Sequence, residues 1–359
     1  MPASRADRAD AGAPGDPAPP DAAHATHPTH PTHAQDAAAV RVARLYYYEH
    51  LTTTRIADEL GTSRSTVSRL LTRAHERGLV EIRVHDPAQH PQGIEAQLRD
   101  RYGLRVAHVV SVPESADEHE WLERVAAFAA GYLNTVIEAD AVVGVAWGTT
   151  LRKVAAKLSP KQVANVDVVA LNGSGTAQSI DSTFSSDIVT RFARNYGARP
   201  HAFPVPAFFD HAATRTALWR ERSVRRLLEL QKRARVLVFS VGAFSGQVPS
   251  HVHSGGFLEP ADLRSLRRDR VAGDIATVFF RADGSHADIA LNARASGPDL
   301  ALLRRARHSI CVASGTGKAA GVRAALAGGF VNTLVVDEPT ARLLLRDAPS
   351  RRTRSGRST

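Results

Sequence analysis

Short hydroxyl side chains and arginines recur through one segment of the chain at helical spacing. They are Ser63, Arg64, Ser65, Thr66, Ser68, Arg69 and Arg73, interleaved with the apolar Val67, Leu70 and Leu71. At 3.6 residues per turn the apolar residues face one way and the polar residues face the other. Guanidinium groups and small hydroxyls hydrogen-bond to the base edges and phosphates of a DNA duplex. The segment is therefore predicted to be a helix that reads DNA.

A second helix must precede this one to position it. Apolar residues in 51–60 have helical spacing, and Thr52 or Thr53 can cap that helix by accepting a hydrogen bond from a backbone N–H. Gly61 permits a tight turn between the helices, and Ser63 can cap the second one. The spacing therefore predicts a helix-turn-helix.

A short strand is expected after the two helices. Residues 79–84 alternate apolar and polar side chains, as the strand of a small wing does. Residues 51–83 together predict a winged helix-turn-helix, and the predicted DNA contacts are Thr52, Thr53 and the seven polar residues of the second helix. The alternative is an ordinary helical hairpin with a solvated polar face.

The chain is too long to be a bare DNA-binding module. Its 359 residues suit two domains plus tails. The 46 Lys and Arg residues against 36 Asp and Glu give a formal net charge of +10, which favours a polyanionic partner. The single cysteine, Cys311, excludes a disulfide framework, so we expect a buried thiol and a cytoplasmic protein. No apolar run reaches membrane-spanning length, so no membrane partner is expected.

Beyond the predicted DNA-binding segment, short apolar strands alternate with helices. Strands are predicted at 106–112, 141–146, 166–171, 236–241, 275–280, 309–313 and 333–336, and helices at 35–50, 93–102, 118–137, 151–158, 187–196, 219–232, 300–306 and 317–326. Such alternation predicts a mainly parallel sheet that helices cover on both faces. The expected fold class is thus α/β, with an N-terminal winged helix-turn-helix followed by this mainly parallel, doubly covered sheet.

Small polar residues follow four of the predicted strands. Gly148, Thr149 and Thr150 follow the strand at 141–146, Asn172 follows the next, a glycine-containing loop follows the strand at 236–241, and Lys318 ends the loop after 309–313. Ligands of parallel sheets bind beyond the carboxyl ends of the strands. Glycine lets the backbone approach a ligand, and threonine hydroxyls, helix N-terminal amides and lysine suit an anion. The loops predict a pocket for a polyol or sugar phosphate, and purely structural turns are the alternative.

The loop that ends in Lys318 superficially resembles a nucleotide P-loop. Val312 stands where that motif requires its first glycine, and Ala319 stands where it requires a Mg²⁺-binding serine or threonine. ATPase chemistry is therefore not expected. We expect no cofactor and no metal centre.

Several segments together resemble the SorC family of bacterial sugar-responsive transcriptional regulators, which is also grouped with the DeoR-type deoxynucleoside regulators. The resemblance runs in order from about Val40 to Leu345 and is carried by the helix-turn-helix, VVGVAWGTTL, VVALNGSG, the GDI at 273–275 and SGTGKAAGVRAALAGGFVNTLVVDEPTARLLL. It implies a winged helix-turn-helix followed by an effector domain related to sugar-phosphate isomerases and glucosamine-phosphate deaminases. The chain departs from the family at 292–294, where relatives usually have Asn-Asp-Arg, and at 314–315, where they have Gly-Gly.

The resemblance also implies which residues bind the effector. They are Gly148, Thr149, Thr150, Asn172, Gly173, His253, Asp274 and Lys318. The Gly-Thr-Thr segment would hold a phosphate, Asn172 and Gly173 would line the pocket, and Asp274 would accept sugar hydroxyls. Lys318 would bind phosphate or a sugar oxygen, and His253 lies near a basic phosphate contact of relatives. The implied partners are operator DNA, a sugar or sugar phosphate, and further copies of the chain in a homodimer or homotetramer.

The expected domain organisation has five parts. A disordered tail (1–36) precedes the winged helix-turn-helix (37–86), and a hinge (87–92) leads to an effector-binding and oligomerisation domain (93–347) and a basic tail (348–359). In the first tail His24, His27, His30 and His33 recur every third residue. A solvated low-complexity segment is expected there, with metal binding as the alternative.

Two functional hypotheses follow from these residues. The first is a DNA-binding transcriptional regulator of carbohydrate metabolism whose operator affinity is controlled by a sugar or sugar phosphate through a population shift. The second is a sugar-phosphate isomerase or deaminase with an accessory DNA-binding segment, in which Asp274, Lys318 and the His251/His253 pair do acid–base work. No compact acid–base pair stands out in the sequence, which favours the regulator.

Overall fold

The computed structural model describes residues 31–81, 91–113, 115–175, 183–243 and 250–346. The chain divides into two compact units, Met1–Val84 and His85–Thr359. Four sequence predictions lie outside the described residues: the histidines at 24, 27 and 30, the end of the wing strand at 82–84, the hinge at 87–90 and the basic tail. None of the described helices combines the length and apolar character needed to cross a membrane.

The described part of the first unit is a three-helix cluster. Its helices are α1 (Pro31–Tyr47), α2 (Thr53–Glu59) and α3 (Arg64–Glu76). Val42 of α1, Ile56 of α2 and Val67 of α3 are buried together in a small core. Helix α1 begins at Pro31, so residues 31–36, which the sequence analysis assigned to the tail, are helical. An ion pair from Asp36 to α3 anchors this first part of α1.

The described residues after α3 do not form the expected wing strand. Gly78 has a φ of 66°, which ends the helix in the left-handed conformation. The backbone N–H groups of Leu79 and Val80 both donate to the Ala74 carbonyl, at 2.8 and 3.2 Å. Donors that strand pairing would use are therefore engaged in the end of the helix, and residues 79–81 are not strand.

The second unit alternates strands with helices. Its strands are β1 (Val106–Val110), β2 (Val142–Val145), β3 (Asp167–Ala170), β4 (Arg199–His201), β5 (Val236–Phe239), β6 (Val271–Ile275), β7 (Val278–Arg281), β8 (His308–Ala313) and β9 (Thr333–Asp337). Its helices are α4 (Pro91–Tyr102), α5 (Glu118–Val136), α6 (Thr149–Lys157), α7 (Thr183–Tyr196), α8 (Ala212–Leu218), α9 (Arg222–Arg233), α10 (His251–Ser254), α11 (Pro260–Arg268), α12 (Ala301–Arg305), α13 (Ala319–Ala327) and α14 (Glu338–Arg346). Helix α4 begins at Pro91, so the last two residues of the expected hinge are helical.

Seven parallel strands form the main sheet in the order β1-β9-β8-β5-β2-β3-β4. Alternate residues of β2 and its flanks face two separate cores. Val143 and Val145 pack in one core with residues of α5, α6 and α7, whereas Val142 and Ala146 pack in the other with residues of α4, α13 and α14. Helices thus cover both faces, and the predicted mainly parallel, doubly covered sheet is confirmed.

The prediction of a single strand at 275–280 is wrong. Strands β6 and β7 form an antiparallel hairpin in a separate two-stranded sheet. The turn is made by Ala276 and Thr277, which have φ values of 48° and 71°. Neither residue is a glycine or proline, and both lie within an apolar run. The sequence therefore gives no signal for this turn.

Two smaller differences concern the region from β4 to α9. Strand β4 was not predicted, because its Arg-Pro-His sequence lacks the apolar residues of the other strands. The helix predicted at 219–232 is confirmed as α9, which begins three residues later, whereas the preceding helix α8 was not predicted.

Candidate functional site

Hydroxyl caps fix the two helices of the helix-turn-helix as the sequence predicts. Thr52 Oγ1 accepts a hydrogen bond from the Arg55 N–H at 3.3 Å, at the start of α2. Ser63 Oγ accepts one from the Thr66 N–H at 3.2 Å, at the start of α3. Gly61, with a φ of 59°, lies in the turn between them. These caps satisfy backbone donors that a helix leaves unpaired at its N-terminus.

The polar face of α3 is exposed. Arg64, Ser65, Ser68 and Arg69 are all in the exposed class, and Thr66 is half-buried. Arg69 donates to Thr66 Oγ1 at 3.3 Å, and within the described residues neither Arg64 nor Arg69 has a carboxylate partner. Because their charges are not neutralised by the described residues of this unit, both guanidiniums are available to phosphates or base edges.

Arg73 does not belong to this exposed face, contrary to the sequence prediction. Its Nε donates to Asp36 Oδ1 of α1 at 2.8 Å, and Arg77 Nη2 lies 3.2 Å from the other carboxylate oxygen. The Arg73 side chain is half-buried in the contact between α1 and α3. Its position one turn after Arg69 carries it around the helix toward α1, where its ion pair with Asp36 joins the two helices.

In the second unit, the predicted effector residues converge at the carboxyl edge of the main sheet. A cavity of about 50 Å³ lies there, lined by residues that follow β2, β3, β5 and β8 and by the β6–β7 hairpin. Its lining comprises Trp147, Gly148, Thr149, Thr150, Asn172, Ser240, Val241, Gly242, Ser250, His251, Val252, Asp274, Ala276, Thr277 and Lys318. Six of the eight predicted effector residues are thus brought together around one cavity.

Lys318 places a buried positive charge in this cavity. Its side chain is only 8% exposed, and Nζ donates to Thr150 Oγ1 at 2.9 Å and to Ser240 Oγ at 3.2 Å. Burial lowers the pKa of the Lys318 ammonium. Within the described residues no carboxylate lies within ion-pair distance of it. A buried ammonium that has only hydroxyl partners is a site for an anionic or strongly polar ligand oxygen.

Asp274 supplies a buried carboxyl group on the other side of the cavity. Its Oδ2 accepts from the Thr277 N–H at 3.3 Å, and its Oδ1 has no hydrogen-bond partner among the described residues. Burial raises the pKa of Asp274 to about 7. His253 Nε2 lies 3.8 Å from Oδ1, but burial lowers the pKa of His253 to about 4, so this contact is not an ion pair at neutral pH.

Two further residues complete the polar lining. Asn172 is 1% exposed, and its Oδ1 accepts no hydrogen bond from the described residues. Gly148 precedes α6 with a φ of 149°, and nothing lies within 4 Å of the position where a Cβ would be. The open space beside Gly148 lets a ligand approach the first backbone N–H groups of α6.

Two of the predicted effector residues, Gly173 and His253, are not among the residues that line the cavity. The Gly173 N–H donates to Ser296 Oγ at 3.0 Å, and its carbonyl accepts from Trp147 Nε1 at 2.8 Å. A Cβ there would lie 2.1 Å from the Val205 carbonyl oxygen, so close packing explains this glycine. His253 Nε2 lies 3.8 Å from Asp274 Oδ1 without lining the cavity, whereas His251 is one of the lining residues.

Sequence reasoning did not select Trp147 or Ser240 as pocket residues, and it named His251 only in the enzyme hypothesis. The Trp147 ring stacks on Phe257 at 5.1 Å and meets the His251 ring edge-on at 5.9 Å, which gives the cavity an aromatic wall. Trp147 comes directly before Gly148, and Ser240 directly follows a buried strand. Position at the end of a strand was therefore the signal that could have identified both.

The residues beside the two departures from the family pattern are held by internal hydrogen bonds. Asn292 donates to the Phe279 carbonyl and accepts from the Phe279 N–H, both at 2.8 Å, so its amide supports β7. In the loop before Lys318, the Thr316 N–H and hydroxyl both donate to Glu118 Oε1 at 2.9 Å, and the Gly315 N–H donates to Asp337. These backbone donors are already used within the protein.

Stability is expected to depend on pH through Asp274. Its carboxyl has a folded pKa of about 7 against an ordinary value of 3.8, so between these pH values the folded state holds a proton that the unfolded state has lost. The contribution of Asp274 to the free energy of unfolding therefore falls as pH rises through this window. His253 contributes with the opposite sign, because its folded pKa of about 4 lies below its ordinary 6.5.

The variant Asp274→Asn removes the titrating carboxyl and keeps His253, so its comparison with the parent separates the contribution of Asp274 from the opposing contribution of His253. We expect the variant to gain stability relative to the parent as pH rises from 4 to 7, by at most about 1.4 kcal/mol per pH unit, and the gain to level off above pH 7. Chemical denaturation of both proteins at several pH values measures this difference. A difference that is constant across the window would show that Asp274 is ionised in the folded protein throughout.

The combination of helix-turn-helix and α/β pocket is that of the sugar-binding transcriptional regulators. Residues 86–346 match the "Sugar-bind" family model, a sugar-binding domain, and residues 41–89 match a MarR family model. The chain belongs to this SorC-type family. It is a transcriptional regulator that joins a helix-turn-helix to a sugar-binding domain.

Named relatives cover most of the chain. The deoxyribonucleoside regulator of Bacillus subtilis (strain 168) is 35% identical over 309 residues, which are 86% of this chain and 97% of the relative. The full-length sorbitol operon regulator SorC of Klebsiella pneumoniae has a similar structure, with a TM-score of 0.71, 27% identity, and coverage of 86% of this chain and 98% of that one. A domain of "a possible sugar-binding transcriptional regulator" from Arthrobacter aurescens TC1 is 45% identical, with a TM-score of 0.67, and covers 73% of this chain and 100% of its own.

Proposed function

We propose that the protein controls transcription of carbohydrate-metabolism genes, and that a sugar or sugar phosphate sets its affinity for operator DNA. The observation that carries this proposal is the buried Lys318 ammonium, which faces the same small cavity as Asp274 and whose hydrogen-bond partners among the described residues are all hydroxyls. Lysine suits a phosphate oxygen, while a carboxyl and an amide suit the hydroxyls of a polyol. One cavity thus offers complementary groups to both parts of a sugar phosphate.

Each lining residue has an expected role toward this effector. The backbone N–H groups of Gly148, Thr149 and Thr150 and the Lys318 ammonium would bind the phosphate. Asn172 and Asp274 would bind sugar hydroxyls through side-chain oxygens that lack hydrogen-bond donors among the described residues. One relative is named a deoxyribonucleoside regulator and another a sorbitol operon regulator, so we commit to the sugar class and not to one sugar.

The size of the cavity supports a population shift as the mechanism. Its volume of about 50 Å³ is far below the roughly 300 Å³ of a small ligand pocket. Effector binding must therefore displace lining side chains or backbone, and it would favour an expanded arrangement of the second unit. A ligand shifts such an equilibrium by its difference in affinity for the two arrangements.

The proposed DNA contacts lie on the exposed face of the helix-turn-helix. They are Thr52, Thr53, Ser63, Arg64, Ser65, Thr66, Ser68 and Arg69. Paired helix-turn-helix units read palindromic half-sites one helical turn apart, so the working form would be a homodimer or homotetramer. The proposed partners are therefore double-stranded operator DNA, the effector and further copies of the chain.

The variant Thr149→Ala tests the pocket directly. Thr149 lies at the first turn of α6 beside Gly148, so its loss is expected to weaken the effector about tenfold and to leave DNA affinity without effector unchanged. A thermal-shift screen of free and phosphorylated sugars first identifies the stabilising ligand. Effector titrations of the operator complex then compare Thr149→Ala with Thr135→Ala, an exposed residue of α5. An unchanged titration in Thr149→Ala would place the phosphate elsewhere.

An enzymatic activity is the second candidate, favoured by one specific observation. Asp274 titrates near pH 7 in the same cavity as a buried amine of lowered pKa, and such pairs are typical of acid–base sites. The ligand identified by thermal shift can be assayed for isomerisation and deamination with the parent and with Asp274→Asn. Turnover that disappears in Asp274→Asn would establish an enzyme, whereas binding without turnover supports the regulator.

A further inference from the structure

A second, large cavity among the described residues of the second unit plays no part in the proposed function. It has a volume of about 1020 Å³ and lies at the amino edge of the main sheet, where β2, β5 and β8 begin. The effector cavity lies at the opposite, carboxyl edge. Val142, Val236 and His308 contribute to the lining from the starts of those strands. A cleft of this size suits a ligand of cofactor dimensions.

Positive charge dominates the lining of this amino-edge cavity. The cationic residues are Arg215, Lys232, Arg233, Arg235, Arg305 and Arg307, and the acidic residues are Glu138, Asp140 and Asp299. Glu138 is paired with one of these arginines, whereas the two aspartates accept hydrogen bonds from uncharged groups and keep their negative charge. Glu138 lies 3.7 Å from Arg307, Asp140 accepts from the Asn165 amide at 3.1 Å, and Asp299 accepts from the Ala301 N–H at 2.9 Å.

Four guanidiniums of the lining are left without a carboxylate partner among the described residues. Lys232 is paired with Glu229 at 2.7 Å and Arg307 is paired with Glu138, whereas Arg215, Arg233, Arg235 and Arg305 have no such pair. An excess of this kind around one concave surface raises the local concentration of anions.

Arg215 is the least solvated of the four. It is half-buried, its Nε donates to the Ala295 carbonyl at 2.6 Å, and its guanidinium lies 4.7 Å above the centre of the Trp219 ring. Burial lowers the pKa of Arg215, yet arginine keeps its charge in proteins. A cation that is partly removed from water and has no counter-charge is stabilised by an anion that enters the cavity.

We propose that the amino-edge cavity binds a small polyanion that carries two or more phosphate groups. Guanidinium forks match phosphate oxygens in pairs, and four arginines without a carboxylate partner among the described residues offer more such forks than the three terminal oxygens of one phosphate monoester can engage. The volume also exceeds what a single sugar phosphate fills. This site is separate from the effector pocket, so the regulator would receive a second metabolite signal.

Calorimetric titration of the full-length protein with inorganic tripolyphosphate, at constant ionic strength, tests this site. Binding should be saturable with one site per chain and at least about tenfold tighter than binding of orthophosphate. Arg215→Gln and Arg235→Gln should each weaken tripolyphosphate at least about tenfold, because each removes charge-assisted hydrogen bonds. Arg235 is exposed, so its variant keeps the test valid if Arg215→Gln does not fold.

Three controls locate the bound tripolyphosphate. Arg267→Gln removes an exposed arginine of α11 that does not line the cavity, and it should bind like the parent. Lys318→Met removes the cation of the effector pocket, and an Arg64→Ala/Arg69→Ala double variant removes the exposed arginines of α3. Loss of binding in either of these two variants, or retention of binding in both Arg215→Gln and Arg235→Gln, would overturn the proposal. A change of molecular mass in the Arg215 and Arg235 variants without a change in tripolyphosphate affinity would also overturn it, because the cavity would then be a subunit interface.

Discussion

The double substitution of Arg64 and Arg69 by alanine is expected to abolish specific operator binding. Both guanidiniums are exposed on α3 and have no carboxylate partner among the described residues. An arginine that contacts a guanine contributes about 1–3 kcal/mol, so the loss of two such contacts weakens binding by about 2–6 kcal/mol, or roughly 30-fold to more than 10,000-fold. Fluorescence anisotropy of a labelled operator at several salt concentrations measures the effect. If either arginine contacts phosphate instead, the slope of the logarithm of the binding constant against the logarithm of the salt concentration becomes shallower by about one unit for each lost contact.

Arg73→Ala provides a control within the same helix. Because Arg73 pairs with Asp36 of α1, its removal should lower the stability of the first unit, by about 1 kcal/mol, while DNA contacts on the exposed face persist in the folded fraction. Arg267→Ala controls for the loss of an exposed positive charge elsewhere. Operator binding that survives in the double variant at parental strength would mean that another helix enters the major groove.

Lys318→Met is expected to abolish the response to effector without unfolding the protein. The Lys318 ammonium is buried and its partners are the Thr150 and Ser240 hydroxyls, so its charge is available to a ligand oxygen. A charge-assisted hydrogen bond in such a site contributes about 1.5–3 kcal/mol, and loss of the charge opposite a phosphate adds to this, so we expect at least a 100-fold weaker effector, or about 3 kcal/mol. Effector titrations of the operator complex measure the loss.

The folded state of Lys318→Met should be as stable as the parent or more so. Methionine has similar length and removes the cost of burying a charge, and Ser240 can still donate to Thr150 Oγ1, which lies 3.4 Å away. Lys157→Met, at an exposed position of α6, controls for the general loss of a lysine. A parental effector response in Lys318→Met would exclude this ammonium from the binding site.

The sequence predicted those features that depend on local patterns. Capping residues such as Ser63 lie where a hydroxyl can reach the third backbone N–H that follows, so spacing alone identifies them. Buried parallel strands such as β5 are continuous apolar runs, and alternation with helices defines the sheet. Because carboxyl ends of parallel strands share one edge, Thr150, Asn172 and Lys318 were expected to be neighbours, and they are.

The differences arise where tertiary contacts decide. Nothing in the spacing of α3 shows that Asp36, more than thirty residues earlier, draws Arg73 away from the exposed face. The two histidines of α10 differ by two positions, and only packing against Asp274 decides that His251 lines the cavity and His253 does not. The turn at Ala276 is likewise stabilised by its surroundings and not by a glycine.

The β6–β7 hairpin has a consequence for the lifetime of the protein. Asp274 belongs to this hairpin and bonds through its backbone to Gly242 at 2.9 Å, whereas Thr150 and Lys318 follow the main-sheet strands β2 and β8. An effector held by Asp274 and Lys318 together would cross-link the hairpin to the sheet. Proteases cut segments that open locally, so abundant sugar would slow the degradation of its own sensor. Under starvation the lifetime of the protein would be shorter.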